Sequence, residues 1–270
     1  MIFEKIMINK RTESEIEEIR KSALLVGKTL AEVAKNIKAG VTTNNLDKIA
    51  EEFIRDNGAT PAFKGYYGYP ASLCISINEV VVHGIPNKRE LKEADVVSID
   101  CGTLLNGWVG DSAYTFALEG VSEEAMRLMK VTKESLYLGI KKCKLGNRIG
   151  DLSSEIQDYC ENKGYGIVRE LCGHGVGRKM HESPEVPNFG KKGTGIKFKE
   201  GMVIAIEPMI TMKDRAVVFE KDGWTCRTRD LSIAAHYEHD VAITENGPDI
   251  LSSFFEIEEI IKQNNNLVLV

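Results

Sequence analysis

The sequence lacks the features that mark a membrane protein or a disulfide-stabilised protein. No run in its 270 residues approaches the roughly 20 consecutive apolar side chains that a membrane-spanning helix requires. The six cysteines are scattered and none belongs to a C-x-x-C pair, which favours reduced thiols over a disulfide framework or a thiolate zinc site. No apolar signal-peptide core precedes the first predicted helix, so a cytoplasmic location is expected.

The sequence also has no excess of positively charged residues. The chain has 35 lysines and arginines against 40 aspartates and glutamates, a net charge of -5. This balance provides no general electrostatic attraction for nucleic acid. With 43% hydrophobic and 28% charged residues, the composition is typical of a soluble globular protein, for which no nucleic-acid specificity and no membrane association are expected.

The first hundred or so residues contain the helix and strand patterns of an α/β fold. Thr12-Glu-Ser-Glu15 has the form of a capping box, and apolar residues follow at steps of three and four as far as Ile37. This pattern predicts a first helix that Gly40 stops. Short β patterns then occur at Leu73–Ile77 and Val96–Ile99.

Several stretches occur twice. The residues from Gly40 to Gly58 recur in the same register from Gly146 to Gly164, and Lys92–Asp100 (KEADVVSID) matches Lys199–Glu207 (KEGMVIAIE). The repeat predicts two units, each with two helices followed by strands, paired about a pseudo-two-fold axis. Asp100 and Glu207 would then lie at equivalent strand ends, and His83 and His174 at equivalent turns, all facing one cleft.

The domain organisation follows from this duplication. One catalytic domain is expected over residues 1–252, with halves of about 12–120 and 121–252. Residues 253–270 form a C-terminal tail, for which the sequence leaves an edge strand, a partner contact and disorder open.

A hairpin brings two carboxylates together. The Asn106-Gly107 pair between β-like runs predicts a two-residue type I′ turn. Counting back from that turn, Gly102 faces Asp111 and Asp100 faces Ala113. Asp100 and Asp111 would therefore be diagonal neighbours on one sheet face, about 7–8 Å apart at the backbone, within reach of a common cation.

Three further residues extend this pair to a candidate metal site. Glu207 ends an apolar run, Glu238 precedes another, and His174 lies between two glycines. Each alone is more often structural, and Asp100 and Asp111 alone could be solvated hairpin acids. Together, four carboxylates and one imidazole suit Mn²⁺, Fe²⁺, Co²⁺ or Zn²⁺, and several carboxylates favour two ions.

At this point the sequence resembles the type I methionine aminopeptidases along nearly its whole length. The motifs that carry the resemblance are Gly65-Tyr-Tyr-Gly-Tyr-Pro70, Cys74-Ile-Ser-Ile-Asn-Glu79, His83-Gly-Ile-Pro86, Asp100 with Gly110-Asp111, Gly173-His-Gly-Val-Gly177, His181-Glu-Ser-Pro184, Ile206-Glu-Pro208 and Tyr237-Glu-His239. The resemblance implies the pita-bread fold, a duplicated α/β (α+β) architecture around a central antiparallel sheet. It further implies removal of the N-terminal methionine from nascent polypeptides.

The resemblance also implies roles for the five candidate ligands. Asp100 and Asp111 would hold one divalent ion, His174 and Glu207 would join the second, and Glu238 with Asp111 would bridge the pair. Co²⁺, Mn²⁺, Fe²⁺, Zn²⁺ and Ni²⁺ all stay open. A hydroxide between the ions would attack the first peptide bond, with Glu207 as the proton shuttle.

Two histidines and an apolar pocket complete the implied site. His83 would hydrogen-bond the scissile amide and His181 would stabilise charge on the carbonyl oxygen, although His83 could instead cap the turn that follows it. The methionine side chain would enter a pocket lined by Tyr66, Tyr69, Cys74, Trp224 and Phe63.

Two residues depart from the family pattern. Met180 replaces a phenylalanine that often precedes the second histidine, and Asp240 stands where threonine is common. Both leave the ligands untouched, but they leave open the shape of the pocket and the hydrogen bonding behind the ligands.

Two other functions compete with the aminopeptidase. Prolidases and X-Pro aminopeptidases share the fold and ligands but usually carry an additional N-terminal domain, for which only a short helix is available here. A non-catalytic binding protein of the same fold would generally have lost ligands that are all present. A monomer that acts on peptides and nascent chains beginning with methionine is expected, and any transient ribosome contact would use the catalytic domain.

Overall fold

The computed structural model describes residues 8–270, so the stretch Met1–Ile6, from which the sequence excludes a signal-peptide core, lies outside the described residues. Five α-helices are present in this part of the chain: α1 Glu13–Ala34, α2 Thr43–Asp56, α3 Glu123–Ile140, α4 Ile149–Glu161 and α5 Phe255–Gln263; a short 3-10 helix spans Tyr66–Gly68. No helix among residues 8–270 is both long and apolar enough to cross a membrane.

The strands of the same region are β1 Thr60–Pro61, β2 Leu73–Ile77, β3 Val80–Val82, β4 Val96–Leu105, β5 Trp108–Leu118, β6 Gly166–Ile167, β7 Gly173–Gly175, β8 Glu182–Val186, β9 Val203–Ile206, β10 Met209–Thr211, β11 Val217–Phe219, β12 Cys226–Thr228, β13 Ala234–His236, β14 His239–Thr244, β15 Gly247–Ile250 and β16 Leu267–Val268. They form two five-stranded sheets, β1-β4-β5-β16 with β2 on β4, and β15-β14-β9-β7-β8, and two three-stranded sheets, β13-β10-β6 and β11-β12-β3. All these pairs are antiparallel.

The order of elements repeats as the sequence predicts. Helices α1 and α2 precede the strands of the first half, and α3 and α4 precede those of the second. The predicted strands at Leu73–Ile77 and Val96–Ile99 are confirmed, and the latter extends to Leu105. One predicted equivalence is wrong, because His174 lies within strand β7 whereas His83 lies in the irregular segment that follows β3.

Helix α1 begins as predicted and ends earlier. The Thr12 hydroxyl accepts the Glu15 backbone N–H and the Glu15 carboxylate accepts the Thr12 N–H, which completes the capping box. The prediction that the helix continues toward Gly40 is wrong. The Asn264 side-chain amide donates to the carbonyl oxygens of Ala34 (2.8 Å) and Ile37 (3.1 Å), so a distant residue caps the helix end and Ile37 is buried outside it.

The β4–β5 hairpin has the predicted register. Asn106 and Gly107 both have positive φ angles, 53° and 76°, as a type I′ turn requires. Gly102 pairs with Asp111, and Asp100 pairs with Ala113. The turn therefore fixes which carboxylates share a face of the sheet.

Helix α1 lies directly against this hairpin, and Gly110 makes the contact possible. A Cβ atom at position 110 would lie 2.2 Å from the Ala23 backbone nitrogen, closer than atoms can approach. The glycine before Asp111 thus allows the helix to pack on β5 and holds the carboxylate strand against the core.

The C-terminal segment is ordered as a helix and an edge strand. Ile257 and Ile261 of α5 are buried, and α5 packs on α1. Strand β16 pairs with β5 through Leu267 and Val268, which extends the first sheet by one strand. Phe254, before α5, stacks on His239 at 3.9 Å between ring centroids, so the segment also supports the strand that follows Glu238.

Candidate active site

A cavity of about 100 Å³ opens between the two halves of the chain. Every residue that the sequence predicts for the site lines it: Phe63, Tyr66, Tyr69, Cys74, His83, Asp100, Asp111, His174, His181, Glu207, Trp224 and Glu238. Met180, one of the two departures from the family pattern, lines it as well. Carboxylates, imidazoles and an apolar pocket therefore share one space, although they come from many separate strands and loops.

Three hydrogen bonds join the strand that carries Asp111 to the segment that carries Glu238. The Glu238 N–H donates to the Ala113 carbonyl at 3.0 Å, and the Ser112 hydroxyl donates to the Glu238 carbonyl at 2.7 Å. The Asp111 N–H donates to the Asp240 carboxylate at 2.8 Å. These three bonds tie strand β5 to residues 238–240, at the start of β14, and bring Asp111 beside Glu238.

His174 lies at the centre of the acidic cluster. Its Nε2 is 3.7 Å from Asp111 Oδ2 and 3.6 Å from Glu207 Oε1. Possible ligand atoms of Asp111, His174 and Glu238 all lie within 4.8 Å of one another. Oxygen and nitrogen atoms at these separations, too long for direct hydrogen bonds, can surround a single cation.

Burial and mutual repulsion disfavour the charged forms of the carboxyl groups in the cluster. Burial raises the pKa values of Asp100, Asp111, Glu207 and Glu238 above their ordinary range, and neighbouring carboxylates raise those of Asp111, Glu207 and Glu238 further. Within residues 8–270, no hydrogen bond reaches Asp100 Oδ1, Asp111 Oδ1 or Glu238 Oε1. Buried, unpartnered carboxylate oxygens are costly, so the donor set fits divalent cations, which would neutralise and coordinate them.

The imidazoles of the cavity are held in the neutral form. Burial lowers the pKa of His174 to about 3 and that of His83 to about 4, with a smaller contribution from nearby His181 in each case. A neutral imidazole can bind a cation through one nitrogen and donate a hydrogen bond through the other. The His174 Nδ1 lies 3.0 Å from the Gly175 carbonyl oxygen, which suits an Nδ1–H donor and leaves Nε2 facing the carboxylates.

His83 has an unusual backbone for a side chain of its size. Its φ angle is +59°, in the left-handed region that non-glycine residues rarely adopt. Among the described residues its ring makes no hydrogen bond, so it does not cap the turn that follows. An uncommon backbone conformation that directs an imidazole into a cavity is more typical of a functional position than of a structural one.

His181 is oriented by contacts on two sides. The Tyr66 hydroxyl lies 2.9 Å from its Nδ1, and its ring meets that of His174 edge to face at 4.3 Å between centroids. In the described part of the chain, no hydrogen bond uses the His181 Nε2. That nitrogen remains available to a substrate.

A buried ion pair holds the loop before His181. The Glu182 carboxylate accepts the backbone N–H groups of Arg178 (2.9 Å) and Lys179 (3.2 Å). The same carboxylate pairs with the Arg11 guanidinium, and both side chains are at most 10% exposed. The segment before α1 therefore fixes one wall of the cavity.

The apolar wall is built around Tyr69. Its hydroxyl donates to the carbonyl oxygens of Leu73 (3.0 Å) and Gly84 (3.1 Å), which anchors the tyrosine loop beside the turn that carries His83. Trp224 meets the Tyr69 ring edge to face at 5.1 Å. Met180 is 5% exposed and packs in the same apolar cluster, so it takes the place of an aromatic wall with a flexible thioether.

Two buried groups lie behind the candidate ligands, Asp240, which the sequence already singled out as a departure from the family pattern, and His236, which it did not. Asp240 carries the carboxylate that accepts the Asp111 N–H, and His236 lies 3.7 Å from Glu207, between its Nε2 and Glu207 Oε2. His236 could have been found from its position two residues before Glu238, because alternate residues of an extended segment share a face.

The comparisons with known proteins agree with this geometry. The model of metallopeptidase family M24 matches residues 17–245. The methionine aminopeptidase of Clostridium acetobutylicum is 53% identical over 247 residues, which cover 91% of this chain and 99% of the relative. The crystal structure of the methionine aminopeptidase from Rickettsia prowazekii is 39% identical, with a TM-score of 0.90 over 92% of this chain and 100% of that one.

The rival proline-specific enzymes are more distant. The prolidase of Pyrococcus horikoshii OT3 is 23% identical, with a TM-score of 0.74, and the match covers 90% of this chain and 63% of that one. This likeness concerns the fold alone.

The chain belongs to metallopeptidase family M24, and within that family to the methionine aminopeptidases. The predicted pita-bread fold and the predicted metallo-aminopeptidase class are confirmed, and the proline-specific and non-catalytic alternatives are not supported. Membership of this family implies divalent metal ions, for which the carboxylate and imidazole cluster is the candidate site.

Proposed function

We propose that the chain removes the N-terminal methionine of peptides and newly made proteins, with two divalent cations held by Asp100, Asp111, His174, Glu207 and Glu238. The observation that carries the proposal is the single cavity in which this cluster meets an apolar pocket. Both requirements of the reaction, activation of water and selection of an apolar first residue, are met by side chains of that cavity.

The strand that carries each candidate ligand indicates which of the two cations it would bind. Asp100 and Asp111 come from the β4–β5 hairpin and would hold one cation, while His174 and Glu207 come from β7 and the end of β9 and would hold the other. Asp111 and Glu238, whose carboxylates lie close together, would contact both. Bound cations of this kind lower the pKa of water toward neutrality and polarise a carbonyl group. Mn²⁺, Fe²⁺, Co²⁺, Zn²⁺ and Ni²⁺ all suit such ligands.

Three side chains of the cavity carry out the remaining steps of the reaction. Glu207, whose pKa is raised by desolvation and by the nearby Asp100 and Asp240, accepts a proton from the attacking water and passes it to the departing amine. His83 donates a hydrogen bond to the scissile amide. His181, oriented by Tyr66, donates to the carbonyl oxygen as negative charge develops there.

The shape of the cavity suits an enzyme that acts on chain ends. Its apolar part is small and lined by Phe63, Tyr69, Cys74 and Trp224, which fits one flexible thioether side chain. A wider groove of about 760 Å³ shares lining residues with its mouth and would receive the polypeptide after the first residue. We propose that the enzyme acts as a cytoplasmic monomer, and that any transient ribosome contact uses the catalytic domain.

The proposal is tested with three peptides and Mn²⁺-loaded protein. Methionine release is expected from Met-Ala-Ser, and none from Ala-Pro-Ser or from acetyl-Met-Ala-Ser, whose amine is blocked. Cleavage of Ala-Pro-Ser alone would indicate a proline-specific enzyme. Cleavage of the acetylated peptide would contradict recognition of a free N-terminus.

A further inference from the structure

One buried histidine near the candidate metal site has no role in the reaction as described above. His236, the last residue of β13, is 1% exposed and does not line the cavity. Its Nε2 is 3.7 Å from Glu207 Oε2. Within residues 8–270, neither of its ring nitrogens has a hydrogen-bond partner.

Another buried imidazole shows how unusual this is. His239, three residues later, is also buried, but its Nδ1 is 2.6 Å from the Ser252 hydroxyl and its Nε2 is 3.1 Å from the Tyr137 hydroxyl. Buried polar atoms in proteins nearly always have partners, because leaving them unpaired costs free energy. A fully buried imidazole with two unpaired nitrogens beside a ligand therefore calls for a functional explanation.

The position of Glu207 between two imidazoles provides a functional explanation. Its Oε1 faces His174 Nε2 at 3.6 Å, and its Oε2 faces His236 Nε2 at 3.7 Å. The Glu207 backbone is itself fixed, because its carbonyl oxygen accepts the Asn188 side-chain amide at 2.9 Å. His236 thus lies on the side of the carboxylate opposite to His174.

We propose that His236 is a positioning residue that donates a hydrogen bond to Glu207 Oε2 and thereby directs Oε1 toward the cation site. The inference rests on the proposed function, in which Glu207 is both a ligand and the proton shuttle. A movement of about 0.5 Å would shorten 3.7 Å to hydrogen-bond length. An imidazole carries at least one N–H whether neutral or protonated, so the role needs no change of charge.

The test compares the parent protein with His236→Leu and His236→Gln. Leucine fills similar space without a donor, whereas the glutamine amide can donate from nearly the same place. Mn²⁺ affinity of the metal-stripped proteins is measured by calorimetry, and kcat and KM are measured with Met-Ala-Ser. His236→Leu is expected to bind Mn²⁺ about 10- to 100-fold more weakly and to lose kcat with little change in KM. His236→Gln is expected to recover most of both losses.

Two results would overturn the inference: parent-like affinity and kcat in His236→Leu, or a His236→Gln variant as impaired as His236→Leu. Visible spectra of the Co²⁺-loaded proteins that show one nitrogen ligand fewer in His236→Gln would also overturn it, since His236 would then be a ligand. Near-UV circular dichroism checks folding, and His236→Met replaces the leucine variant if that one does not fold. The Mn²⁺ measurement needs no substrate, so it decides the role of His236 even if the parent releases no methionine.

Discussion

Replacement of Asp111 by asparagine is expected to abolish most methionine release while the fold is retained. Asp111 is close to candidate ligands of both cations, because it lies diagonal to Asp100 on the hairpin and beside Glu238 and His174. Loss of its charge should weaken both cation sites. Residues that merely orient a ligand contribute about 10- to 100-fold, so kcat/KM for Met-Ala-Ser should fall by more than about 100-fold.

The metal-free Asp111→Asn variant should be at least as stable as the metal-free parent, although its activity is lost. In the metal-free protein Asp111 is a buried carboxyl group among other carboxyl groups, and its raised pKa shows that the folded state disfavours its charge. Metal-free Asp111→Asn should therefore resist urea at least as well as the metal-free parent. Asp56→Asn, which changes an exposed carboxylate on α2, is the matched control and should leave activity unchanged. Parent-like activity in Asp111→Asn would refute the assignment of Asp111 to both sites.

The second large effect is expected at His83, without any change in metal binding. Removal of one hydrogen-bond donor that acts on the reacting group costs about 100- to 1,000-fold, so kcat should fall within that range when the imidazole is removed. Asparagine is the suitable replacement, because it tolerates the left-handed backbone of position 83 better than alanine does. Mn²⁺ affinity of His83→Asn should match that of the parent by calorimetry.

Leu231→Asn provides the control for this substitution. Leu231 also has a positive φ angle, 61°, but it is 63% exposed and does not line the cavity. Its replacement should leave kcat unchanged. Weaker Mn²⁺ binding in His83→Asn would identify His83 as a ligand and contradict its role as a hydrogen-bond donor to the substrate.

The parts of the site that local geometry determines could be predicted from the sequence. An Asn-Gly turn between β patterns allows only one register, so the positions of Asp100 and Asp111 followed from counting residues. The capping box at Thr12 and Glu15 likewise depends on neighbours in the chain. The resemblance to the family extended this to the remaining candidate ligands and pocket residues, all of which line one cavity.

Features that depend on distant contacts could not be predicted. The end of α1 at Ala34 is determined by Asn264, which lies 230 positions away and for which helical periodicity gives no signal. Pairing of β16 with β5 orders the C-terminal segment, for which the sequence left three possibilities open. The turn prediction for His174 failed for a related reason, because a short glycine-rich segment is compatible both with a turn and with a strand that pairs on both sides, as β7 does with β8 and β9.

The central claim, that the buried carboxylate cluster is a metal centre on which peptide cleavage depends, is tested most directly by titration of metal-stripped protein with Mn²⁺. Heat of binding and the rate of methionine release from Met-Ala-Ser are measured on the same samples. The account predicts no release without metal, and a rate that rises with occupancy up to two ions per chain. Full activity in the metal-stripped protein, or Mn²⁺ binding that leaves the rate unchanged, would contradict it.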